Sequence, residues 1–389
     1  MNTKKQFGQF FTTNSDYILQ GLVRYIKNKK ATDPFAGGGD LIKWAKVSGV
    51  KDIKGYDVDE AYVDNKNIFY NDSLNNPLKM DFVITNPPYL NINKADLNIK
   101  AKYFNNFDFE DLYQISLYSI MNSNEGIVIV PVNFLSAQNS KKIRNIFFSK
   151  FKIVEMNYFK EQVFPDTTYN VIAFYYKKKK NMFDDNFVIK THVYPDNKIV
   201  NIELRRQFDW TIGGDLYKAI GSVDNDLGIR RLTEADLNDM RGDIKLDVAY
   251  NHIKTRISIK VNNQACNLIR SNIILLKAID SGSKDGIIAL ENIKDYGVEC
   301  LISKNTSRHM IYLLFKEPVS IKDQKKIIDL FNQEINKLRE EYLSLFLTNY
   351  RDNDRKRISF YFVYKFINFL YFNKIKNNCG NQKLFFPIT

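Results

Sequence analysis

The sequence predicts an α/β protein of two domains, a doubly wound sheet over residues 1–180 followed by a mixed α+β domain over residues 181–389. Three observations carry that expectation. A chain of 389 residues is long for one domain. Up to about residue 177, short apolar runs alternate with longer amphipathic stretches, as strands alternate with crossover helices. Beyond about residue 185 the pattern changes to short β and turn segments and then one long helical repeat.

Predicted strands lie at 30–33, 53–57, 68–72, 81–85, 126–131, 152–159 and 169–176, with helices near 14–28, 39–47, 108–122 and 139–150. Leu112, Ile115, Ser116, Ser119 and Ile120 recur at three- and four-residue spacing, the stripe of a packed helix. Such alternation builds a sheet covered on both faces. Lys177–Lys180, followed by NMFDDN, reads as a solvated strand end and marks the domain boundary. In the second domain Ser320 and Asp323 resemble a capping box. The helix they open presents Ile328, Phe331, Ile335, Leu338, Tyr342 and Leu345 on one face. The apolar run 358–372 is interrupted by Lys365 and Asn368 and is shorter than the roughly 20 residues of a membrane span, so it is expected in a core.

Net charge is +13, from 57 Lys+Arg against 44 Asp+Glu, which suits a polyanionic partner such as nucleic acid. The excess is spread over both halves, so a groove fits it better than a basic tail. Cys266, Cys300 and Cys379 form no CxxC pair, and His192, His252 and His309 lack ligand spacing. Neither a disulfide framework nor a metal site is expected. The N-terminal MNTKKQFGQFFTTN lacks the apolar core of a signal peptide, and the expected location is the cytoplasm of a bacterial or phage host cell.

The chemistry concentrates at predicted strand ends. TDPFAGGGDLIKWA (32–45) sets three glycines between a strand and a helix, where free backbone N–H groups can face a ligand. It is not GxGxxG, and alone it equally suits a plain strand–helix turn. The next strand ends in Asp57, at the place where an acid commonly binds ribose hydroxyls. The third ends in Asp72, and the fourth runs into Asn86-Pro87-Pro88-Tyr89. Ligands of doubly wound sheets sit outside the carboxyl ends of the strands.

These motifs, in this order, resemble those of the S-adenosylmethionine-dependent amino DNA methyltransferases in which cofactor motifs come first and the target-recognition domain last, the gamma arrangement. DPFAGGG is similar to the cofactor motif, and Asn86–Tyr89 matches the catalytic tetrapeptide of the adenine-N6 enzymes. FGQFFTT (7–13) and VFPDTTYNVIAFYY (163–176) resemble the motifs near the methionine end and the target base. The resemblance covers about residues 5–177. It implies a seven-stranded, Rossmann-like class I methyltransferase domain with a C-terminal target-recognition domain. It implies S-adenosylmethionine as cofactor, held by Thr12, Asp33, Pro34, Phe35, Ala36, Gly37, Gly39, Asp57, Asp72 and Asn86. Asp57 would take the ribose, Asp72 the adenine amino group, and Asp33 the ammonium.

The exocyclic nitrogen of adenine is a poor nucleophile because its lone pair is delocalised into the ring. The Asn86 amide oxygen and the Pro87 carbonyl can each accept one of its N–H bonds, and rigid prolines hold those acceptors still. Tyr89, and by resemblance Phe164, would stack on a base flipped out of double-stranded DNA, with a core Phe before a proline turn as the alternative for Phe164. Arg205, Arg206, Arg230, Arg231, Arg355, Lys356 and Arg357 are candidate contacts to phosphate or base, with an uninvolved surface cluster as the alternative for each. The family further implies a modification enzyme sharing its DNA site with a cognate restriction endonuclease, or a solitary or phage-borne enzyme; a monomer is expected. Cytosine-N4 or RNA adenine as target, and a non-catalytic DNA-specificity subunit, remain open alternatives. A glutamine methyltransferase is disfavoured because it needs a helical domain ahead of the glycine-rich loop.

Overall fold

Apolar residues at alternating or consecutive positions make the early strands, and nine of them join one sheet. A computed structural model describes residues 12–105, 107–165, 170–223, 226–280, 287–349 and 356–376. The chain divides into two compact units, with the main break between Gly214 and Asp215.

The first unit holds β1 (Lys30–Asp33), β2 (Asp52–Asp57), β3 (Ile68–Tyr70), β4 (Phe82–Thr85), β5 (Glu125–Pro131), β6 (Phe151–Phe159), β7 (Val171–Lys178), β8 (Asn186–Tyr194) and β9 (Lys198–Arg205). Their order is β3-β2-β1-β4-β5-β7-β6-β8-β9. Strands β1 to β5 run parallel, and β7 lies antiparallel between β5 and β6. Chain order reverses at β1, which pairs with β2 on one side and β4 on the other. A crevice therefore opens beyond the carboxyl ends of β1 and β4.

All seven predicted strands form within a residue or two of their expected limits. The helix expected over 14–28 instead breaks into Ser15–Ile18 and Val23–Ile26, with Gly21 between them at φ 75°. Glycine adopts that left-handed conformation without the clash a Cβ would bring.

The boundary expected at residue 180 is displaced to 214. β8 pairs in parallel with β6 through Glu155↔Lys190 to Phe159↔Tyr194, and β9 extends the sheet further. Lys179, expected in solvent, is buried. Its ammonium donates to the Asp184 carbonyl at 2.8 Å and lies 4.2 Å from the centre of the Trp210 ring. Burial lowers its pKa to about 8. The lysine run is thus partly a core feature that pins the chain on which β8 and β9 follow. Arg205 and Arg206 consequently sit at the end of β9 in the first unit, not in a C-terminal domain.

The second unit has a four-stranded sheet in the order Arg230–Arg231, Met310–Leu314, Ile274–Lys277, Ala289–Asn292. A three-stranded sheet is ordered His252–Val261, Arg241–Tyr250, Leu301–Ile302. Ser320 caps the helix Ile321–Glu341 by accepting from the Asp323 N–H at 3.1 Å. Ile327, rather than the expected Ile328, joins Phe331, Ile335 and Leu338 in the core. The apolar run forms the helix Phe360–Leu370, whose Phe362, Val363, Phe366, Ile367 and Leu370 are buried. No described helix is long and apolar enough to cross a membrane.

Arg144, on the helix Lys141–Lys150, is 1% exposed. Its guanidinium donates to the carbonyls of Phe134 (3.0 Å), Ala137 (2.7 Å) and Asp209 (3.2 Å) and to the Thr211 hydroxyl (2.8 Å). It therefore ties the helix to the last segment of the first unit. Arg144→Met, which keeps the volume and removes the donors, should lower stability by about 2–4 kcal/mol in urea unfolding.

Candidate active site

Each strand that ends at the crevice delivers one polar side chain to it. β1 ends in Asp33, β2 in Asp57, Asp72 follows β3, and Asn86 follows β4. Together with Thr12, Pro34, Phe35, Ala36, Gly37, Pro88, Tyr103 and Leu112 they line a cleft that is partly open to solvent. Gly37 (φ 47°) and Gly39 (φ 77°) make the tight turn, and Gly39 caps the helix Asp40–Val47. Gly39 itself stands behind the lining rather than in it.

Three carboxylates divide the cavity. Asp57 accepts from the Gly37 N–H at 2.7 Å and from the Asp59 N–H at 2.8 Å, so it clasps the glycine turn against β2. Burial raises its pKa. Asp33 is 1% exposed; its Oδ1 accepts from the Thr85 hydroxyl (2.9 Å) and the Phe35 N–H (3.1 Å). Its Oδ2 has no hydrogen-bond partner among the described residues. Burial pushes its pKa up to about 7, against those two hydrogen bonds and helped by the charge of Asp57. A buried carboxylate oxygen without a donor fits a ligand cation, and S-adenosylmethionine carries an ammonium.

At the other end, Asp72 Oδ2 accepts from Lys102 Nζ (3.0 Å), Asn75 Nδ2 (3.1 Å) and the Tyr103 hydroxyl (3.2 Å). Its Oδ1 has only a 3.4 Å contact from the Asn75 N–H, leaving an acceptor for an amino group. Tyr103 is buried and lines the cavity, yet no motif pointed to Lys102 or Tyr103. They lie on an irregular helical stretch, Lys100–Phe104, outside every motif.

The Asn86 amide is fixed at both ends. Its Nδ2 donates to Thr12 Oγ1 at 3.1 Å, and its Oδ1 accepts from the Tyr89 hydroxyl. Thr12, expected on the methionine end of a cofactor, thus orients Asn86 while lining the same cavity. The Tyr89 hydroxyl also reaches the Ile129 carbonyl at 2.9 Å. Tyr89 is 4% exposed, with Tyr113 edge-on at 6.4 Å. Tyr89 also lines a second cavity with Asn91, Lys94, Asp111, Tyr113, Pro131 and Asn133, which the motifs did not indicate. Burial raises the Asp111 pKa there to about 6. Phe164, the other expected stacking face, is 1% exposed and lines neither cavity.

The basic candidates are locally engaged. Arg205 pairs with Glu203 (2.6 Å), Arg206 with Asp185 (2.9 Å) and Arg230 with Asp236 (2.6 Å). Arg231 donates to the carbonyls of Asn305 and Ser307. Lys356 and Arg357 form a short strand against Ile279–Asp280. Arg355, residues 7–11 and residues 166–169 lie outside the described residues.

A parallel sheet with strand order 3-2-1-4-5-7-6, its seventh strand reversed and its strand-end acids converging on one cavity, is the class I methyltransferase fold. A family model described as the Eco57I restriction-modification methylase matches residues 12–164. No curated protein matches the sequence. Among solved structures, the methyltransferase subunit of a type I restriction-modification system from Streptococcus thermophilus is 16% identical, over 48% of this chain and 48% of its own, with a TM-score of 0.35. The type I restriction enzyme EcoKI M protein is 12% identical over 61% and 59%, TM-score 0.38. The type IIG restriction endonuclease BpuSI is 13% identical over 63% and 42%, TM-score 0.40. The chain spans about half the length of these structures.

Asp33 makes stability depend on pH in a defined direction. Its folded pKa of about 7 exceeds the unfolded value of about 4, so stability falls as pH rises between the two and is flat above. Urea midpoints should show that fall in the unliganded protein, and Asp33→Asn should make it shallower, with Asp57 and Asp111 keeping a share of it. A bound ammonium favours the ionised carboxylate, so cofactor affinity should rise between about pH 6 and pH 8 in the unaltered protein only.

Proposed function

We propose that this chain is a site-specific DNA adenine-N6 methyltransferase that uses S-adenosylmethionine and acts on a base flipped out of the duplex. The observation that carries the reading is the Asn86 amide, locked by Thr12 and Tyr89 at the rim of a cavity whose three carboxylates suit the three polar parts of that cofactor. Asp33 Oδ2 would meet the ammonium, Asp57 the ribose hydroxyls, and Asp72 Oδ1 the adenine amino group. When bound, the cofactor supplies an electrophilic sulfonium methyl.

The protein's part is to make the target nitrogen nucleophilic and to hold it in line. Asn86 Oδ1 and the Pro87 carbonyl accept the two N–H bonds of the target amino group, which draws the nitrogen towards tetrahedral geometry and frees its lone pair. The nitrogen takes the methyl group as the carbon–sulfur bond breaks with its electron pair leaving on sulfur. The cationic nitrogen then releases a proton, and S-adenosylhomocysteine is the other product. Since Asn86 Oδ1 is engaged by the Tyr89 hydroxyl, the base takes over that bond as it arrives, and the Tyr89 ring turns a face to it.

Similarity to the restriction-modification methylase model over residues 12–164 supports a modification role, with a cognate endonuclease acting on the same DNA site. The second unit, placed after the cofactor motifs, would read the target sequence, and the chain would work as a monomer inside a bacterial or phage-infected cell.

The test uses labelled S-adenosylmethionine and DNA from a methylation-free host, with nucleosides separated after digestion. Label in N6-methyladenine is expected. Asn86→Ala should lower the rate at least about 10³-fold while cofactor affinity changes little. Label in cytosine would move the target base, and label confined to RNA would overturn the DNA assignment. Tyr89→Phe keeps the ring and removes only the hydroxyl that competes for Asn86. It should retain transfer, whereas Tyr89→Ala should weaken binding of the base by about 1–3 kcal/mol.

A further inference from the structure

One β-ribbon of the second unit carries charge that the protein does not itself neutralise. Arg241–Tyr250 and His252–Val261 pair antiparallel, with Lys245 opposite Lys260, Asp247 opposite Ser258 and Ala249 opposite Arg256. Like charges directly opposed across a ribbon cost stability. Lys245, Lys254 and Lys260 make no ion pair or side-chain hydrogen bond among the described residues. Of the acids on the inner strand, Asp243 and Asp247, the latter is engaged by the Ser258 hydroxyl at 2.6 Å. His252–Val261 is the outer strand, and Lys254 to Ser258 are all exposed in succession.

Beside the ribbon, Lys245 and Asp247 share a shallow hollow with Arg270, Lys294 and Glu299. Glu299 is the acceptor for both cations, at 3.5 Å from Arg270 and closer to Lys294. Six cations, Lys245, Lys254, Arg256, Lys260, Arg270 and Lys294, thus stand near three acids, Asp243, Asp247 and Glu299. A charged edge is a common guard against strand-to-strand aggregation. That role does not account for Lys245, which lies on the inner strand and projects from the face of the sheet.

We infer that this face and the adjoining hollow contact the phosphate backbone of duplex DNA. The inference rests on reading the chain as a DNA methyltransferase and assigns the contact to a surface distinct from the arginine pairs that the sequence suggested. Ten-residue strands extend about 33 Å, close to one turn of duplex, and a two-stranded ribbon is a shape the major groove admits. Phosphates would relieve the opposed lysines, so folding energy lost in the free protein returns on binding.

The test is duplex binding by the full chain across a salt series. Lys254→Glu/Lys260→Glu should weaken binding about tenfold or more, equally on all sequences. The plot of log K against log salt should become shallower by about 1 to 2, at roughly 0.9 per lost phosphate contact. Lys260→Glu alone sets opposite charges across the ribbon and should leave the thermal midpoint unchanged or higher while weakening DNA. Retained cofactor affinity checks the fold, and Lys245→Gln/Lys260→Gln repeats the test without new acids. Unchanged affinity and slope in variants of a protein that binds duplex would overturn this inference alone. No duplex affinity at low salt in the unaltered protein would overturn it together with the DNA reading.

Discussion

Parallel pairing of β1 with both β2 and β4, and of β2 with β3, is the constraint on which the site depends. It aligns four carboxyl ends on one edge of the sheet, so residues 33, 57, 72 and 86 meet although the chain between them is long. The reversal of order at β1 leaves the crevice uncovered by any crossover connection. Glycine at 37 and 39 lets the chain turn sharply there, and the Gly37 N–H bond to Asp57 ties the turn to the neighbouring strand.

Within that frame the polar groups are arranged by what they lack as much as by what they hold. Asp33 keeps one buried oxygen without a donor, and Asp72 has three donors on one oxygen and almost none on the other. Burying such groups costs free energy in the unliganded chain, a cost that a ligand with matching donors offsets. Asn86 is the opposite case, with both ends of its amide satisfied and its plane fixed before any base arrives. The opposed lysines of the ribbon belong with the carboxylates, since both store unfavourable electrostatics at surfaces suited to a partner.

Much of this was legible in the residues. Strand positions followed from apolar runs; Asp57, Asp72 and Asn86 stood out because polar groups close successive strands, and Asp33 followed from the resemblance. The capping of Ile321–Glu341 by Ser320 was likewise local, as was the burial of the apolar run in Phe360–Leu370. Lys102 and Tyr103 were not legible, because they reach Asp72 from a stretch with no motif and no periodicity.

The sequence by itself determined the order of strands and helices, the glycine turn, and the identity of the groups at the strand ends, because each depends on residues close together in the chain. Tertiary structure decided where the first unit stops, what Lys179 does, which oxygen of each carboxylate stays open, and which lysines face each other. The cation–aromatic contact of Lys179 with Trp210 and the register that sets Lys245 against Lys260 depend on distance in space, which a linear pattern does not encode.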